Sequence, residues 1–529
     1  MKIVLTAPAT EMSEYNGNPA IGFSAGFSKV FFVPRRYLLD KLYRRVPCSE
    51  DYRVKYAPLG LRIIEASLTR SVVSEDEIGI VHPDDLEKVV NEKTRIIGIG
   101  VKDPLGFGYV SLTYSAIVGL GDPINRFEFN LLMKRIRKLK KKYNFHVVLG
   151  GPGAWQILRF TEPEKMGITC VVQGEGEEVA PIVVSKILAN EPVDKVVEGN
   201  GVDASKIPII RGATIYGAVE ITRGCGRGCA FCSPTMQMRR DIPIDKVVRN
   251  IEVNLKEGQN KVLLVTEDLF LYGSRIPYEP NSDALKKLIN SIVSLKKYGL
   301  EKIQVTHINL AAALYRSDLF KYISDQLYEF AWFKLGKRMV LTTEVGIETG
   351  SAKLIKTHMM GKAKPFKPEE WFNVVLDSLI LLEENGWAPC ATIIVGLPGE
   401  TYEDAYQTLK LIEEISSTGL KPLLIPLLFV PLGSCKLRNE SLRVFDDLMD
   451  VQVSIFSKCW KHNVKIWGYD HFKKYDFNER LLIRIIGLIY KNLVARRRWW
   501  RKRIVDEVYG EVIRQLKISR KYEGDGVGY

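Results

Sequence analysis

Short apolar runs alternate with amphipathic helical patterns over the first 205 residues. The apolar runs predict strands at 2–6, 77–81, 95–101, 146–150 and 167–172, and the helical patterns predict helices near 59–68, 128–143 and 177–188. Strands that alternate with helices favour a parallel sheet with helices on both faces, and ligands of such sheets lie at the carboxyl ends of the strands. We therefore predict a doubly wound α/β domain over residues 1–205.

A second alternating region covers residues 206–436 and follows a linker at 208–217. Its strand-like runs lie at 218–222, 261–266, 302–307, 339–346, 391–395 and 422–428, with helical patterns at 246–257, 283–297, 368–384 and 402–416. The last helix begins with a capping box formed by Thr401 and Asp404. Six units of this kind predict a partial (β/α)6 barrel related to the TIM barrel, with its chemistry at the carboxyl ends of the strands.

The remaining residues, 437–529, predict a C-terminal helical domain. Amphipathic patterns indicate helices at 442–456 and 479–494. The second pattern continues into a basic segment, Ala495-Arg-Arg-Arg-Trp499-Trp500-Arg-Lys-Arg503. Tryptophan beside Arg and Lys suits the interface of an anionic bilayer, suits RNA equally in composition, and is also found where indole rings pack on a protein core.

Composition and charge narrow the choice of protein class. With 46% hydrophobic and 26% charged residues, the 529-residue chain is typical of soluble multidomain proteins. No apolar run reaches the roughly 20 residues of a membrane span. The amino terminus lacks the pattern of a signal peptide, so we expect a cytoplasmic protein with reduced cysteines. The net charge of +14 favours an anionic partner, although the basic run within 128–143 is interpreted as a solvated helix face.

Three of the eight cysteines lie within eight residues, as Cys225, Cys229 and Cys232. An odd number in this context argues against a disulfide network, and a structural zinc site would need a fourth ligand nearby. An iron–sulfur cluster held by three thiolates leaves one iron open to a further ligand. The spacing therefore predicts such a cluster.

The Cys-x3-Cys-x2-Cys spacing, with Phe231 before the last cysteine, resembles the signature of the radical S-adenosylmethionine (SAM) enzymes. The resemblance implies that Cys225, Cys229 and Cys232 hold a [4Fe-4S] cluster whose open iron chelates SAM. It also implies that reductive cleavage of SAM yields a 5'-deoxyadenosyl radical, which removes hydrogen from a substrate.

Later strand ends resemble the same family. The resemblance implies cofactor contacts at Glu267 in Thr-Glu-Asp, at Glu348 in Gly-Ile-Glu-Thr-Gly, and at Gly396 and Pro398 in Gly-Leu-Pro-Gly-Glu. Two further polar residues at strand ends, His307 and Tyr272, are candidate catalytic groups on the substrate side. For His307, a structural histidine is an equal alternative.

Glycine-rich loops in the first domain resemble cobalamin-binding, flavodoxin-like domains that precede many radical SAM modules. The runs Asp103-Pro-Leu-Gly-Phe-Gly, Gly150-Gly-Pro-Gly and Gln173-Gly-Glu-Gly-Glu carry the resemblance, which implies cofactor contacts at Gly106, Gly151, Gly174 and Glu175. The family's Asp-x-His-x-x-Gly loop is absent from the sequence. Two alternatives stay open: cobalamin bound without a histidine ligand, or a domain that keeps the fold without the cofactor.

For the whole chain, the plan of domains resembles the archaeal ring synthases that form cyclopentane rings in tetraether lipids. This resemblance implies a lipid substrate, and with it peripheral contact with the inner face of the membrane through the Trp/Arg segment. An acidic ferredoxin or flavodoxin is the expected electron donor, and no nucleic acid is expected. The alternatives are a cobalamin-dependent radical SAM C-methyltransferase and, from another class, an RNA-binding or scaffold protein.

Overall fold

The computed structural model describes residues 1–30, 33–474 and 476–524. The chain divides into two compact units. The first unit contains residues 1–224, 237–265 and 294–301, and the second contains residues 225–236, 266–293 and the chain from 302 onwards.

The first unit alternates strands and helices as the hydrophobic pattern predicts. Its strands are β1 Ile3–Thr6, β2 Ile78–Ile80, β3 Ile96–Gly100, β4 His146–Gly150, β5 Cys170–Gly174, β6 Val196–Gly199, β7 Ala218–Glu220, β8 Thr222–Arg223, β9 Arg240–Asp241 and β10 Lys261–Val265. Its helices are α1 Arg35–Lys41, α2 Leu59–Ser71, α3 Leu86–Val89, α4 Tyr109–Val118, α5 Ile124–Lys140, α6 Ala154–Phe160, α7 Val179–Leu188 and α8 Ile244–Lys256.

Strands β1–β6 form one parallel sheet in the order β2-β1-β3-β4-β5-β6. This is the flavodoxin-like order, in which the strand order reverses between β1 and β3. The predicted doubly wound α/β class is confirmed. The prediction missed β6, whose side chains are all exposed or only partly buried, because a strand without a buried side shows no apolar run.

Apolar clusters lie on both faces of this sheet. One cluster includes Leu61 and Leu68 of α2, and the other includes Leu132, Ile136 and Leu139 of α5. The basic side of α5 forms ion pairs, for example Lys138 with Glu87, as a solvated helix face does. Further along the first unit, β7 pairs with β10 in parallel and β8 with β9 in antiparallel.

The second unit continues the alternation of strands and helices. Its strands are β11 Lys302–Val305, β12 Phe333–Leu335, β13 Arg338–Val340, β14 Glu344–Glu348, β15 Cys390–Val395 and β16 Leu423–Leu428. Its helices are α9 Ser282–Val293, α10 Leu310–Tyr315, α11 Ser317–Leu327, α12 Ala352–His358, α13 Met360–Ala363, α14 Trp371–Glu384, α15 Tyr402–Ser417, α16 Asp450–Phe472, α17 Phe477–Ile489 and α18 Trp499–Gly524.

Strands β14, β15 and β16 pair in parallel, and a bridge between His307 and Glu344 sets the end of β11 beside the start of β14. The predicted strand at 339–346 is wrong in part. Its first residues belong to β13, which forms an antiparallel hairpin with β12 around Gly336 and Lys337. Glycine at the first position of a two-residue loop is a hairpin signal, and it stands in the sequence at Gly336.

The C-terminal helices also differ from the prediction. The helix predicted at 442–456 begins at Asp450 and runs to Phe472, after a 3-10 turn at Phe445–Asp447. The helix predicted at 479–494 corresponds to α17 and a π-helical turn, Tyr490–Val494. Among the described helices, none has the length and apolar character that a membrane span requires.

Candidate cluster and cofactor site

The loop that carries the three cysteines turns tightly. Gly226 and Gly228 adopt positive φ angles of 81° and 79°, and the Gly228 amide donates a hydrogen bond to Thr235 Oγ1 at 2.6 Å. Cys229 is 7% exposed, and Cys225 and Cys232 are partly buried. The loop thus presents three thiols from one short, internally bonded segment.

Arg227, between the first two cysteines, anchors this loop. Its side chain is buried, and its Nε donates to Asp268 Oδ2 at 2.7 Å. Its Nη1 donates to the carbonyl of Gly361 at 2.9 Å, and its guanidinium lies 5.8 Å from the ring centroid of Tyr278. Its Nη2 is buried without a hydrogen-bond partner among the described residues. A buried Arg–Asp pair fixes backbone positions strongly because neither charge can be left alone.

The peptide of Ala230, between Cys229 and Cys232, is held from both sides. Its amide donates to the carbonyl of His358 at 2.7 Å, and its carbonyl accepts from the amide of Leu437 at 3.1 Å. The His358 ring in turn contacts the carbonyl of Pro398 at 2.8 Å. His358 therefore connects the cysteine loop to the Gly-Leu-Pro-Gly-Glu loop.

Two glycines show where space is limited around this loop and where it is not. A Cβ added at Gly361 would overlap the carbonyl of Arg227, so only glycine permits this close approach. A Cβ added at Gly228 would meet nothing within 4 Å. Gly228 is itself exposed, so this side of the cysteine loop is open.

Burial raises the pKa of all three thiols, that of Cys225 to about 12. Such thiols stay protonated at neutral pH unless a metal binds them and displaces the proton. In residues 1–30, 33–474 and 476–524, no three His, Cys, Asp or Glu side chains lie close enough together to bind a single metal ion. A [4Fe-4S] cluster takes its thiolates on separate irons, so that finding concerns mononuclear sites.

Lys362 is a partly buried cation, with its side chain 12% exposed, beside the cysteine loop. Its Nζ donates to Glu348 Oε1 at 3.0 Å and to the carbonyl of Gly346 at 3.2 Å. Burial opposes its charge, but the negative charge of Glu348, together with that of Cys229, raises the pKa of Lys362. A cation in this position stabilises negative charge on the thiolates of a cluster.

Glu348 lies at the end of β14, in a strained conformation. Its φ is +63°, the strand register shifts at this point, and its side chain is buried. Left-handed backbone at a residue other than glycine costs about 1–3 kcal/mol and is concentrated at functional sites. Glu348 was predicted to contact the cofactor directly, and the structure shows its carboxylate bound to Lys362 and close to Thr392 Oγ1.

His307 and Glu344 form a pair in the same unit. His307 Nε2 lies 3.0 Å from Glu344 Oε2, and Nδ1 contacts the carbonyl of Thr266 at 3.0 Å. Partial removal of the ring from water would lower the pKa of His307, but Glu344, and more weakly Glu267, raise it to about 9. Their side chains are 41% and 38% exposed, so a bound molecule can reach them. Burial, Cys229 and Glu267, in decreasing order of effect, raise the pKa of Cys232. Glu267 therefore lies near both His307 and Cys232.

The other predicted residues of this site have the following positions. Phe231 and Tyr272 are buried at 7% and 5% exposure. Gly396 has a φ of +86°, its amide donates to Glu400 Oε2 at 2.7 Å, and its carbonyl accepts from Arg443 Nε at 3.0 Å. Pro398 accepts from His358. Tyr272 remains a predicted substrate-side residue.

Arg227, Asp268, Lys362, Glu344 and His358 were not predicted. Asp268 had a signal in the sequence, because an Asp before Leu-Phe-Leu can cap a helical turn, and it does accept from the amide of Phe270. The other four are recognisable only when distant segments are brought together.

The glycines predicted to contact cobalamin lie at the carboxyl edge of the sheet in the first unit. A Cβ at Gly106 would overlap Pro123, one at Gly151 would lie 2.7 Å from the carbonyl oxygen of Val101, and one at Gly174 would overlap Gly199. The packing of the chain on itself explains why these positions are glycine. They fit a ligand-binding edge but do not by themselves indicate a ligand.

Glu175 belongs to an ion cluster in the first unit. Its carboxylate accepts from Arg223 at 2.8 Å and from Arg240 at 2.5 Å, and Arg223 also pairs with Glu177 and Glu220. These salt bridges lower the pKa of Glu175, although burial opposes them. Glu175 was predicted to contact cobalamin, and the structure shows it bound to the two arginines.

Glu11 lies where the strand order reverses. Its Oε1 accepts from the amide of Lys102, directly after β3, at 2.8 Å. Burial raises the pKa of Glu11 to about 7. A crevice at this point is the usual ligand site of such sheets, and here a side chain of the protein enters it.

Residues 219–412 match the sequence model of the Radical SAM superfamily. This part of the chain is a radical SAM domain. The domain holds a [4Fe-4S] cluster and SAM, and the cysteine loop, with its three thiols, open side and compensating Lys362, fits that assignment. The predicted enzyme class and these two cofactors are thereby confirmed for the radical SAM domain.

Relatives in sequence carry methylthiotransferase names. The tRNA-2-methylthio-N(6)-dimethylallyladenosine synthase of Fusobacterium nucleatum is 23% identical over 51% of this chain and 62% of its own length. The ribosomal protein uS12 methylthiotransferase RimO of Thermotoga petrophila is 30% identical over 38% of this chain and 42% of its own length. The chain thus spans less than two thirds of the length of these relatives.

Similarity in fold extends over the whole chain. The radical SAM methyltransferase TsrM of Kitasatospora setae, solved with cobalamin and a [4Fe-4S] cluster, matches 99% of this chain and 100% of its own with a TM-score of 0.52 and 13% identity. At this identity the likeness concerns the fold. None of these relatives is a tetraether ring synthase, so the predicted lipid chemistry gains no support from them.

Proposed function

We propose that this chain is a radical SAM C-methyltransferase that uses cobalamin. The observation that carries the proposal is the fold: a flavodoxin-like domain followed by a radical SAM domain, matched from end to end by a methyltransferase that binds cobalamin. Cobalamin, when bound, would carry the methyl group between SAM and the substrate. Methyl transfer is also the alternative that the sequence offers to lipid ring formation.

The cysteines favour methyl transfer over methylthio transfer. A methylthiotransferase needs three more cluster cysteines in its first domain, and residues 1–205 contain only Cys48 and Cys170. Cys170 is fully buried in β5, whereas Cys48 is exposed. A strand residue in the core cannot join an exposed thiol around a second cluster.

In this proposal the residues of the second unit have distinct roles. Cys225, Cys229 and Cys232 bind the cluster, Arg227 and His358 position their loop, and Lys362 balances negative charge at the thiolates. His307 is charged at neutral pH and donates its two N–H groups to Glu344 and to the carbonyl of Thr266, so it would act on the substrate through its positive charge, which suits an anionic group. We propose His307 as the substrate-side residue.

The test uses the full chain, purified without oxygen, reconstituted with iron and sulfide, and incubated with SAM, a strong reductant and tryptophan as a first acceptor. Mass spectrometry follows 5'-deoxyadenosine, S-adenosylhomocysteine and methyl label from SAM. We expect S-adenosylhomocysteine to require both the cluster and added hydroxocobalamin. Cys229→Ser should abolish it, and Cys459→Ser, at a buried thiol outside the motif, should not.

The same assay separates the alternatives. S-adenosylhomocysteine formed equally well without cobalamin would contradict cobalamin-dependent transfer. Deoxyadenosine without S-adenosylhomocysteine, together with loss of hydrogen from added tetraether lipid, would restore the ring-synthase hypothesis. Absence of both products from a chain that holds a full cluster would leave the RNA-binding or scaffold alternative.

A further inference from the structure

The exposed side of α17 is apolar to an unusual degree. Six large aliphatic side chains on α17 and the turn after it are 44–63% exposed: Leu481, Ile485, Ile486, Leu488, Ile489 and Leu493. We call this set the α17 face. Contiguous exposed apolar area on this scale marks an interaction site rather than ordinary surface.

The opposite side of α17 is already packed. A Cβ at Gly487 would lie 2.5 Å from the ring of Tyr509 in α18, and the Tyr509 hydroxyl donates to the carbonyl of Arg484 at 3.1 Å. Lys491 Nζ pairs with Asp506 of α18 at 2.9 Å. On a helix, positions 481, 485 and 488 lie away from position 487. The α17 face therefore points away from α18.

The segment 481–505 is basic, and three of its cations pair with aspartates outside the segment. From Leu481 to Val505 the sequence contains eight Arg and Lys residues and neither Asp nor Glu. Arg496, Arg497 and Trp499 are exposed, directly after Leu493. The second tryptophan differs from its neighbour: Trp500 is 3% exposed, stacks on Phe445 at 4.3 Å, and donates its indole N–H to Asp446 at 3.0 Å. The expectation that both tryptophans face a membrane is therefore wrong for Trp500.

These observations together select one partner. A second copy would bring together two segments that each carry an excess of positive charge, which disfavours self-association through this face. RNA would use stacking rings beside the cations, but the neighbouring exposed area is aliphatic and Trp500 is packed in the core. An interfacial helix with aliphatic residues on one side, basic residues nearby and a tryptophan at its edge fits an anionic bilayer surface.

We propose that the α17 face and the Arg496–Trp499 turn dock on an anionic lipid bilayer. The aliphatic side chains enter the boundary between headgroups and acyl chains, the arginines contact lipid phosphates, and Trp499 lies at headgroup depth. This contact does not depend on the reaction that the radical SAM domain performs.

Flotation of the full-length protein with vesicles tests the proposal. We expect binding to vesicles of phosphatidylglycerol and phosphatidylcholine that weakens as salt is raised, and binding about tenfold weaker to pure phosphatidylcholine. Ile485→Asp with Ile489→Asp, and separately Arg496→Glu with Arg497→Glu, should each lower binding to the anionic vesicles about tenfold or more. Ile182→Asp, at a 57% exposed position of α7, is the matched control and should bind as the unaltered chain does.

A second measurement avoids any folding defect in the variants. In the unaltered chain, hydrogen exchange over residues 481–497 should slow when anionic vesicles are added. Unchanged exchange there, or equal binding of the face variants and Ile182→Asp, would overturn the proposal. So would concentration-dependent dimers that the face variants abolish, or RNA binding that those variants abolish while vesicles stay unbound.

Discussion

The carboxyl edge of the sheet in the first unit and the cysteine loop of the second unit use glycine in opposite ways. At the sheet edge, Gly106, Gly151 and Gly174 are surrounded by the chain's own atoms on the side where a Cβ would stand. In the cysteine loop, Gly228 faces open space, and beside the loop Gly361 of α13 is crowded by the carbonyl of Arg227 and the hydroxyl of Tyr278. Glycine-rich sequence alone therefore does not distinguish a cofactor site from a tightly packed loop.

Charge differs between the two regions as well. At the sheet edge the charged residues satisfy one another, as Glu175 does with Arg223 and Arg240. Near the cysteine loop, Arg227 keeps one buried nitrogen without a partner, and Lys362 lies against the thiols. Groups that are only partly satisfied by the protein are expected where a ligand completes the site. The cysteine loop meets this criterion more closely than the sheet edge does.

The largest expected effect is the difference between the substitutions Arg227→Leu and Arg240→Leu. Arg227→Leu leaves Asp268 buried without its partner, which should cost about 3–5 kcal/mol of unfolding free energy and prevent cluster assembly. Arg240→Leu leaves Glu175 with Arg223, so we expect a cost of about 1–3 kcal/mol and full cluster content. Iron analysis and denaturant unfolding measure the two quantities. Normal iron content in Arg227→Leu would show that this arginine does not position the loop.

Alanine substitutions at Gly361 and Gly151 test whether the two glycines have different roles. Gly361→Ala places a methyl group against the carbonyl of Arg227, so we expect roughly tenfold less iron after reconstitution and a destabilisation of about 1–3 kcal/mol. Gly151→Ala should destabilise the chain by a similar amount without loss of iron, because its φ is +98° and the nearest atoms to its Cβ belong to Val101, outside the cysteine loop. If Gly151→Ala instead weakened cobalamin binding without changing the unfolding free energy, the explanation by chain packing would be wrong.

A pH profile tests the role assigned to His307. Its pKa of about 9 means that it is protonated at neutral pH and loses its charge as the pH rises through 9. If the charged form is needed, activity should fall on that basic side. Glu344→Gln removes the main cause of the raised pKa, so the basic limb should move down by about two pH units. Glu369→Gln, at an exposed carboxylate, should leave the profile unchanged.

The smallest effect concerns Glu11 in the first unit. Burial raises its pKa from 4.5 to about 7, so ionised Glu11 destabilises the fold, and its protonated form contributes stability that is lost as the pH rises through 7. Glu11→Gln keeps an acceptor for the amide of Lys102. We therefore expect it to stabilise the chain by roughly 1–2 kcal/mol above pH 8, with no gain near pH 4. If Glu11→Gln raised the unfolding free energy by the same amount at both pH values, the raised pKa assigned to Glu11 would be wrong.

The hydrophobic pattern predicted much of the fold because buried strands and amphipathic helices leave periodic signals. It missed β6, which has no buried side, and it merged β13 with β14 because both contain apolar residues on either side of a short gap. It placed the start of α16 too early because the apolar residues of the 3-10 turn at Phe445–Asp447 continue the helical pattern.

The site was predictable where its residues belong to one short motif. The cysteines lie within eight positions, and their spacing carries the chemistry. Lys362 and His358 are more than 120 positions further along the chain, and nothing in their local sequence indicates that they contact this loop. Glu348 was predicted as a cofactor contact from the Gly-Ile-Glu-Thr-Gly run, but its salt bridge with Lys362 depends on a bulge that periodicity does not reveal.

The bonds that brace the cysteine loop have a consequence for how the metal centre is built. Thr235, Asp268 and His358 hold the loop entirely through bonds between atoms of the chain. The loss of conformational entropy that ordering the ligands requires therefore occurs during folding rather than during metal insertion. A finished cluster can be delivered to a folded chain by a carrier, and repair after oxidative loss of iron requires no unfolding of the domain.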